Sequence, residues 1–167
     1  MEIRTIEPFL DYWKSVRGRT KRVAQAIPDD RMDWSYMPGK FTFGGIIRHL
    51  ATIERYMYAE TVQGKPSSYP GYDRDLQKDG ENPLEFMNRL DAESVEIFSR
   101  LSDEDLTRKC VTPAGSSITI WKWLRAMVEH EAHHRGQLYM MLSMLGVATP
   151  PLYGLTEEEV RARSAQK

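Results

Sequence analysis

A chain of 167 residues with a formal net charge of −1 has room for one compact domain and lacks the positive field that draws proteins to phosphate backbones. No nucleic-acid partner is expected. The single cysteine, Cys110, rules out an internal disulfide and a cysteine-based structural metal site, and it fits a reducing compartment. Charges lie within the first few residues, and no apolar run is long enough for a signal or a membrane span. The expectation is a soluble, cytoplasmic protein with one domain over 1–167 and no membrane partner.

From Phe9 the apolar residues Phe9, Trp13, Val16, Val23 and Ile27 recur at helical spacing, with Pro8 in the first turn and Pro28 closing the segment. Residues 28–41 carry two prolines and a glycine and read as a loop across one end of a bundle. Thr42 caps a second helix over 43–62, whose stripe is Phe43, Ile46, Leu50, Ile53 and Met57, and which stops at Gly64 and Pro66. Residues 64–81 have no period and read as a long crossover, a connection that permits non-neighbouring or parallel helices. Asn82 and Pro83 start a third helix reaching about Leu101, with Leu84, Met87, Leu90, Val95 and Phe98 facing the core. A turn at 102–106 and a loop or brief extended piece at 109–117 follow. Thr119 caps the last long helix, which runs to Leu145 before Gly146, and a small terminal helix begins after Thr156. This pattern predicts an all-α fold, a helical bundle with a long crossover between helices 2 and 3.

The last long helix contains His130, Glu131, His133, His134, Arg135 and Gln137. At about 100° per residue, His134 falls within the apolar stripe of Ile120, Met127, Leu138 and Leu145, His130 at its edge, and His133 toward solvent. Two imidazoles four residues apart on one face can converge on one ion. A third ligand must come from elsewhere, and His49, leaning to the core side of the second helix, is the remaining histidine. Three neutral imidazoles suit a divalent transition metal such as Zn, Ni or Fe and leave a coordination position open. The competing structural reading is a hydrogen-bonded polar cluster in the core.

Glu131 also falls inside the apolar stripe, where an unpaired carboxylate costs several kcal/mol. An ion pair with Arg135, four residues on, is the simplest partner; a second role is to accept a ligand N–H or act as a general base. His130, Glu131 and His134 also fit H-E-x-x-H, the metalloprotease pattern. The extended form of that motif needs a glycine and a histidine where this chain has Gln137 and Met140, and there is almost no strand signal upstream for an edge that would bind a peptide.

With these residues in view, the chain resembles the DinB and YfiT-like superfamily of bacterial metalloenzymes over nearly its whole length. The stretch FTFGGIIRHLATIERYMY, with His49, looks like the first ligand helix of that family. EHEAHHRGQLYMMLSMLG looks like the second, with its histidine pair followed by Arg135, Gly136 and Gln137. The resemblance implies an up-down-down-up four-helix bundle, commonly a homodimer, with His49, His130 and His134 on a divalent metal at one end of the core. It also implies a thiol S-transferase that joins a bacterial low-molecular-weight thiol to a small-molecule electrophile.

A metal-dependent hydrolase, with Glu131 handling protons, and a non-catalytic metal-binding protein are the alternatives. Cys110 has no adjacent histidine and reads as a packed thiol. Met140 and Met144 fall outside the core arc and form an exposed apolar patch suited to a dimer. Substrate is expected to enter beside Gly44 and Gly45, with the 28–41 loop as a lid.

Overall fold

The computed structural model describes residues 2–165. Its long helices are α1 (Ile6–Gln25), α2 (Phe43–Ile53), α4 (Pro83–Phe98) and α5 (Ile120–Met144). A π-helical turn, Glu54–Tyr58, continues α2 into the short α3 (Ala59–Val62), and α6 (Glu157–Ser164) closes the described chain. An antiparallel hairpin, β1 (Lys109–Val111) and β2 (Ser117–Thr119), leads into α5, with Cys110 opposite Ile118.

Two apolar clusters fix the direction of the four long helices. One joins Val23 of α1 and Ile27 just beyond it, Phe43 and Ile46 of α2, Phe86 and Leu90 of α4, and Leu138 and Leu142 of α5. The other joins Phe9 and Trp13, Tyr58 and Val62, Phe98, and Ile120 and Leu124. The end of α1 therefore meets the starts of α2 and α4 and the end of α5, which is an up-down-down-up four-helix bundle. The parallel pairs α2–α4 and α1–α5 are neighbours, and α1–α4 and α2–α5 close the ring. The crossover at 63–82 returns the chain along the bundle so that α4 can run beside α2 in the same direction.

Local chemistry explains the helix starts. Thr42 accepts from the Gly45 N–H, and Asn82 with Glu85 forms a capping box ahead of Pro83. Thr119 precedes α5 without a side-chain cap; the Ile120 N–H is satisfied instead by the Arg108 carbonyl at the base of the hairpin. The third helix ends at Phe98, short of Leu101.

The second helix departs from the expected stripe at the π turn. Ile53 and Met57 are only half-buried, whereas Glu54, Tyr58, Ala59 and Val62 are buried. One extra residue in a turn rotates everything after it, so Ala59 and Val62, which the uniform period turns away from Phe43, reach the buried face. Glu54 needs no such rotation: on the uniform period it lies about 20° from Phe43, inside the stripe, so its carboxylate enters the bundle interior.

Between the two apolar clusters lies a polar layer. Arg17 of α1 pairs with Glu54, with Asp91 of α4 at 3.5 Å and with Glu131 of α5 at 3.1 Å. One guanidinium thus ties α1 to every other wall of the bundle. Trp13 Nε1 donates to Glu54 at 3.3 Å, and Lys21 supports Asp91 at 2.7 Å.

Candidate metal centre

His49 from α2 and His130 and His134 from α5 meet on the α2–α5 seam, in the same middle layer as Arg17. One ring nitrogen from each can be chosen so that all three lie within 4.8 Å of one another. The centre sits midway along the bundle and not at one end of the core, because an apolar cluster closes each end. His134 is buried; His49 and His130 are half-buried. His133 faces solvent, as its place on the helix predicts.

Hydrogen bonds orient two of the three rings and set the tautomer of His134. His134 Nδ1 lies 2.7 Å from Gln137 Oε1, an oxygen that only accepts, so Nδ1 carries the proton and Nε2 offers its lone pair. The same amide points its nitrogen at His133 Nε2, 3.3 Å away, which agrees with that orientation. His49 Nδ1 lies 2.8 Å from the Tyr69 hydroxyl, which leaves its Nε2 facing inward. His49 Nε2 and His130 Nε2 are then 3.2 Å apart. Two imidazole nitrogens on one tetrahedral ion with bonds of 2.0–2.1 Å are separated by about 3.3 Å. The donor set and its spacing therefore fit a divalent transition metal.

Burial keeps these rings neutral. It lowers the pKa of His49 to about 4, helped by His134, and that of His130 to about 3, helped first by His134 and then by His49, His133 and Arg17. Burial also lowers the His134 pKa, while the Gln137 hydrogen bond works the other way. A metal competes with few protons for such rings at neutral pH.

Aromatic rings hold His49 in place. Phe41 lies 5.3 Å from its ring and 5.7 Å from that of His134, meeting the latter edge-on, and Tyr72 approaches His49 at 5.9 Å. Phe41 comes from the 28–41 loop, which is pinned at the helix start by Phe43 N–H to the Trp34 carbonyl and Gly44 N–H to the Met32 carbonyl. Gly44 and Gly45 do not leave a way in for substrate. A Cβ on Gly44 would stand 3.3 Å from the Met32 carbonyl, and one on Gly45 3.1 Å from Thr42 Oγ1, so both glycines serve close packing.

Glu131 is buried as expected but does not pair with Arg135. Its carboxylate turns to Arg17, a partner from a different helix, while Arg135 Nη1 donates to the Val16 carbonyl at 3.3 Å and to Thr20 Oγ1 at 3.5 Å. Parallel packing of α5 on α1 offers both groups interhelical partners, which displaces the local i, i+4 pair. Glu131 Oε1 has no hydrogen-bond partner, and burial raises the pKa of the group against the opposing pull of Arg17. H-E-x-x-H here supplies two histidines to one site and a carboxylate to another. Cys110 is buried under the second apolar cluster, away from the histidines.

Tyr69, Phe41 and Arg17 are site residues that periodicity does not find, since the first two lie in loops and the third enters through its partners. Gln137 was findable: it follows His134 by three residues, on the same face.

The structure resembles a DinB-like protein from Bacillus cereus with a TM-score of 0.71 and 22% identity, over 89% of this chain and 97% of that one. YfiT from Bacillus subtilis, described as "a probable metal-dependent hydrolase with an unusual four-helix bundle topology", aligns with a TM-score of 0.64 and 20% identity over 86% of this chain and 89% of its own. In sequence, YjoA of Bacillus subtilis is 26% identical over 150 residues, 86% of this chain and 93% of YjoA. Among the described residues no helix is long and apolar enough to cross a membrane. The model of the DinB superfamily matches residues 12–138, about three-quarters of the sequence, and the chain belongs to that superfamily.

Proposed function

We propose that His49, His130 and His134 hold one divalent transition metal through their Nε2 atoms, and that the protein is a metal-dependent enzyme acting on a small molecule. The single observation behind this reading is the 3.2 Å approach of His49 Nε2 to His130 Nε2, two lone pairs that face one another unless a cation or a proton lies between them. When bound, the metal supplies Lewis-acid chemistry, lowering the pKa of a protic ligand at the open position. The protein's own part is to present three neutral rings, with Tyr69 and Gln137 as the outer hydrogen-bond partners of His49 and His134 and Phe41 packed against both rings.

Hydrolysis is the reaction that the description of YfiT supports. Thiol transfer to a small electrophile is the second reading, and one observation favours it. Glu131, the carboxylate of H-E-x-x-H, is committed to Arg17 and is not free to serve as the general base for hydrolysis, whereas a thiol, whose pKa lies nearer neutrality than that of water, gives up its proton to solvent on ionising.

Elemental analysis of untagged protein tests the metal. About one equivalent per chain is expected, lost in His49→Ala, His130→Ala and His134→Ala and kept in His133→Ala. Loss in His133→Ala with retention in the other three would overturn the ligand set. A panel of esters, amides and lactams, beside bacillithiol, mycothiol, coenzyme A, glutathione and cysteine paired with a chloro-aromatic and an epoxide, then separates the reactions. Each is run with metal-loaded protein, chelated protein and His134→Ala. A rate that survives chelation tells against both mechanisms.

A further inference from the structure

Beside the three histidines, a cleft of about 440 Å³ runs between the 28–41 loop and the outer face of α5. The loop contributes Tyr36, Lys40 and Phe41, and α5 contributes Gln137, Met140 and Met144. Phe41 and Gln137 belong to both places: they touch His134 on one side and line the cleft on the other. From Gln137 to Met144 the wall extends about 10 Å along the helix axis.

The composition of this wall is unusual for a solvent-facing surface. Met140 is 60% exposed, Met144 57% and Tyr36 49%. Methionine side chains are flexible and polarizable and adapt to apolar groups of varied shape. Lys40 is the cation in the cleft. Asp30 and Asp33 of the same loop pair with Arg31 and Arg74, and Lys40 makes no ion pair among the described residues.

Resting on the metal reading above, we infer that this cleft is the substrate-specificity pocket, taking the apolar alkyl or aryl arm of a small molecule whose reacting group sits at the histidines and which carries a carboxylate for Lys40. The volume suits a small-molecule site. Continuity through Phe41 and Gln137 places the arm on the reaction side of the bundle, and the unpaired ammonium supplies charge complementarity in the cleft.

Three hydroxamates, whose headgroup chelates a protein-bound transition metal, test this by calorimetric titration of zinc-loaded protein. Acetohydroxamate has no arm, octanohydroxamate has an apolar arm, and suberic acid monohydroxamate has an arm of the same length ending in a carboxylate. Octanohydroxamate should bind at least tenfold more tightly than acetohydroxamate. The carboxylate-ended probe should gain a further two- to fivefold at low salt over a hydroxamate of similar apolar contact, the range for an exposed ion pair. Lys40→Gln should remove that gain and leave octanohydroxamate unchanged, and Met140→Gln should weaken both long probes but not acetohydroxamate.

Equal affinity for acetohydroxamate and octanohydroxamate would overturn the pocket while leaving the metal site standing. Failure of acetohydroxamate to bind loaded protein, with no difference from metal-free protein for any probe, would overturn both. If Met140→Gln dissociates a dimer, measured by light scattering, and changes no affinity, the cleft is a subunit interface and the inference fails.

Discussion

The Arg17 guanidinium lies 3.1 Å from the Glu131 carboxylate, joining the first helix to the last across the middle of the bundle. Glu54 and Asp91 meet the same guanidinium. Removing the cation leaves two fully buried carboxylates without it, so Arg17→Met is expected to cost about 3–5 kcal/mol. Glu131→Gln leaves Arg17 with two acids and is expected to cost about 1–2 kcal/mol with metal content unchanged. Denaturant midpoints and elemental analysis check both; loss of metal from folded Glu131→Gln would return that residue to the metal's surroundings.

Acid should destabilise the metal-free protein through the same histidines. Burial holds His49 at about 4 and His130 at about 3, below the ordinary 6.5. Between those values the unfolded chain binds protons that the folded chain refuses. Stability is therefore full above about pH 6.5, falls as pH drops, and the loss is complete once pH has passed through 4 to 3. Each ring contributes a slope of about 1 kcal/mol per pH unit, reduced slightly for its partial exposure. Urea midpoints of chelated protein at pH 7 and pH 5 should differ more for the native sequence than for the double variant His49→Ala, His130→Ala. An identical difference in both would assign the acid sensitivity elsewhere.

The bundle and the histidine cluster were legible because both rest on periodicity. Asn82, Pro83 and Gly146 mark helix limits by local backbone chemistry, and His130 and His134 share a face by spacing alone. The π turn was not legible: an extra residue in one turn changes the energy of few local contacts, and its reward is tertiary, the burial of Ala59 and Val62. The Glu131–Arg135 pair failed for the same reason. A local i, i+4 contact is worth a few tenths of a kcal/mol and yields to a buried interhelical partner. Tyr69 and Phe41 stand in aperiodic segments, where sequence spacing carries no information about which side chain reaches the core.

Cys110 should be chemically silent. It is 3% exposed between Leu106 and Ile118, and burial raises its thiol pKa, so little thiolate forms at neutral pH. Ellman's reagent should label native protein far more slowly than urea-unfolded protein. Cys110→Ala should keep metal and any turnover, at a cost of about 1 kcal/mol for the lost sulfur contacts. Turnover abolished in a folded, metal-loaded Cys110→Ala would make this thiol the nucleophile.

The outer hydrogen bonds give the sharpest separation between a metal centre and a polar cluster of the core. Tyr69 and Gln137 each engage the Nδ1 of one histidine, at 2.8 Å and 2.7 Å. In a metal site these bonds orient the ring and hold the Nε2 lone pair on the ion, and losing one weakens metal binding by about 10- to 100-fold. In a plain core cluster they would contribute only to folding. Tyr69→Phe keeps the ring and removes the hydroxyl, and Gln137→Leu keeps the volume and removes the acceptor. Each is expected to lower zinc affinity at least tenfold in competition with a chromophoric chelator, with metal-free stability changed by no more than about 1 kcal/mol. Tyr72→Phe is the comparison: the Tyr72 ring meets His49 edge-on, but its hydroxyl makes no hydrogen bond to the histidines, so affinity should stay within twofold. Zinc affinity unchanged in both Tyr69→Phe and Gln137→Leu, with metal-free stability lowered instead, would mark the three histidines as a structural cluster.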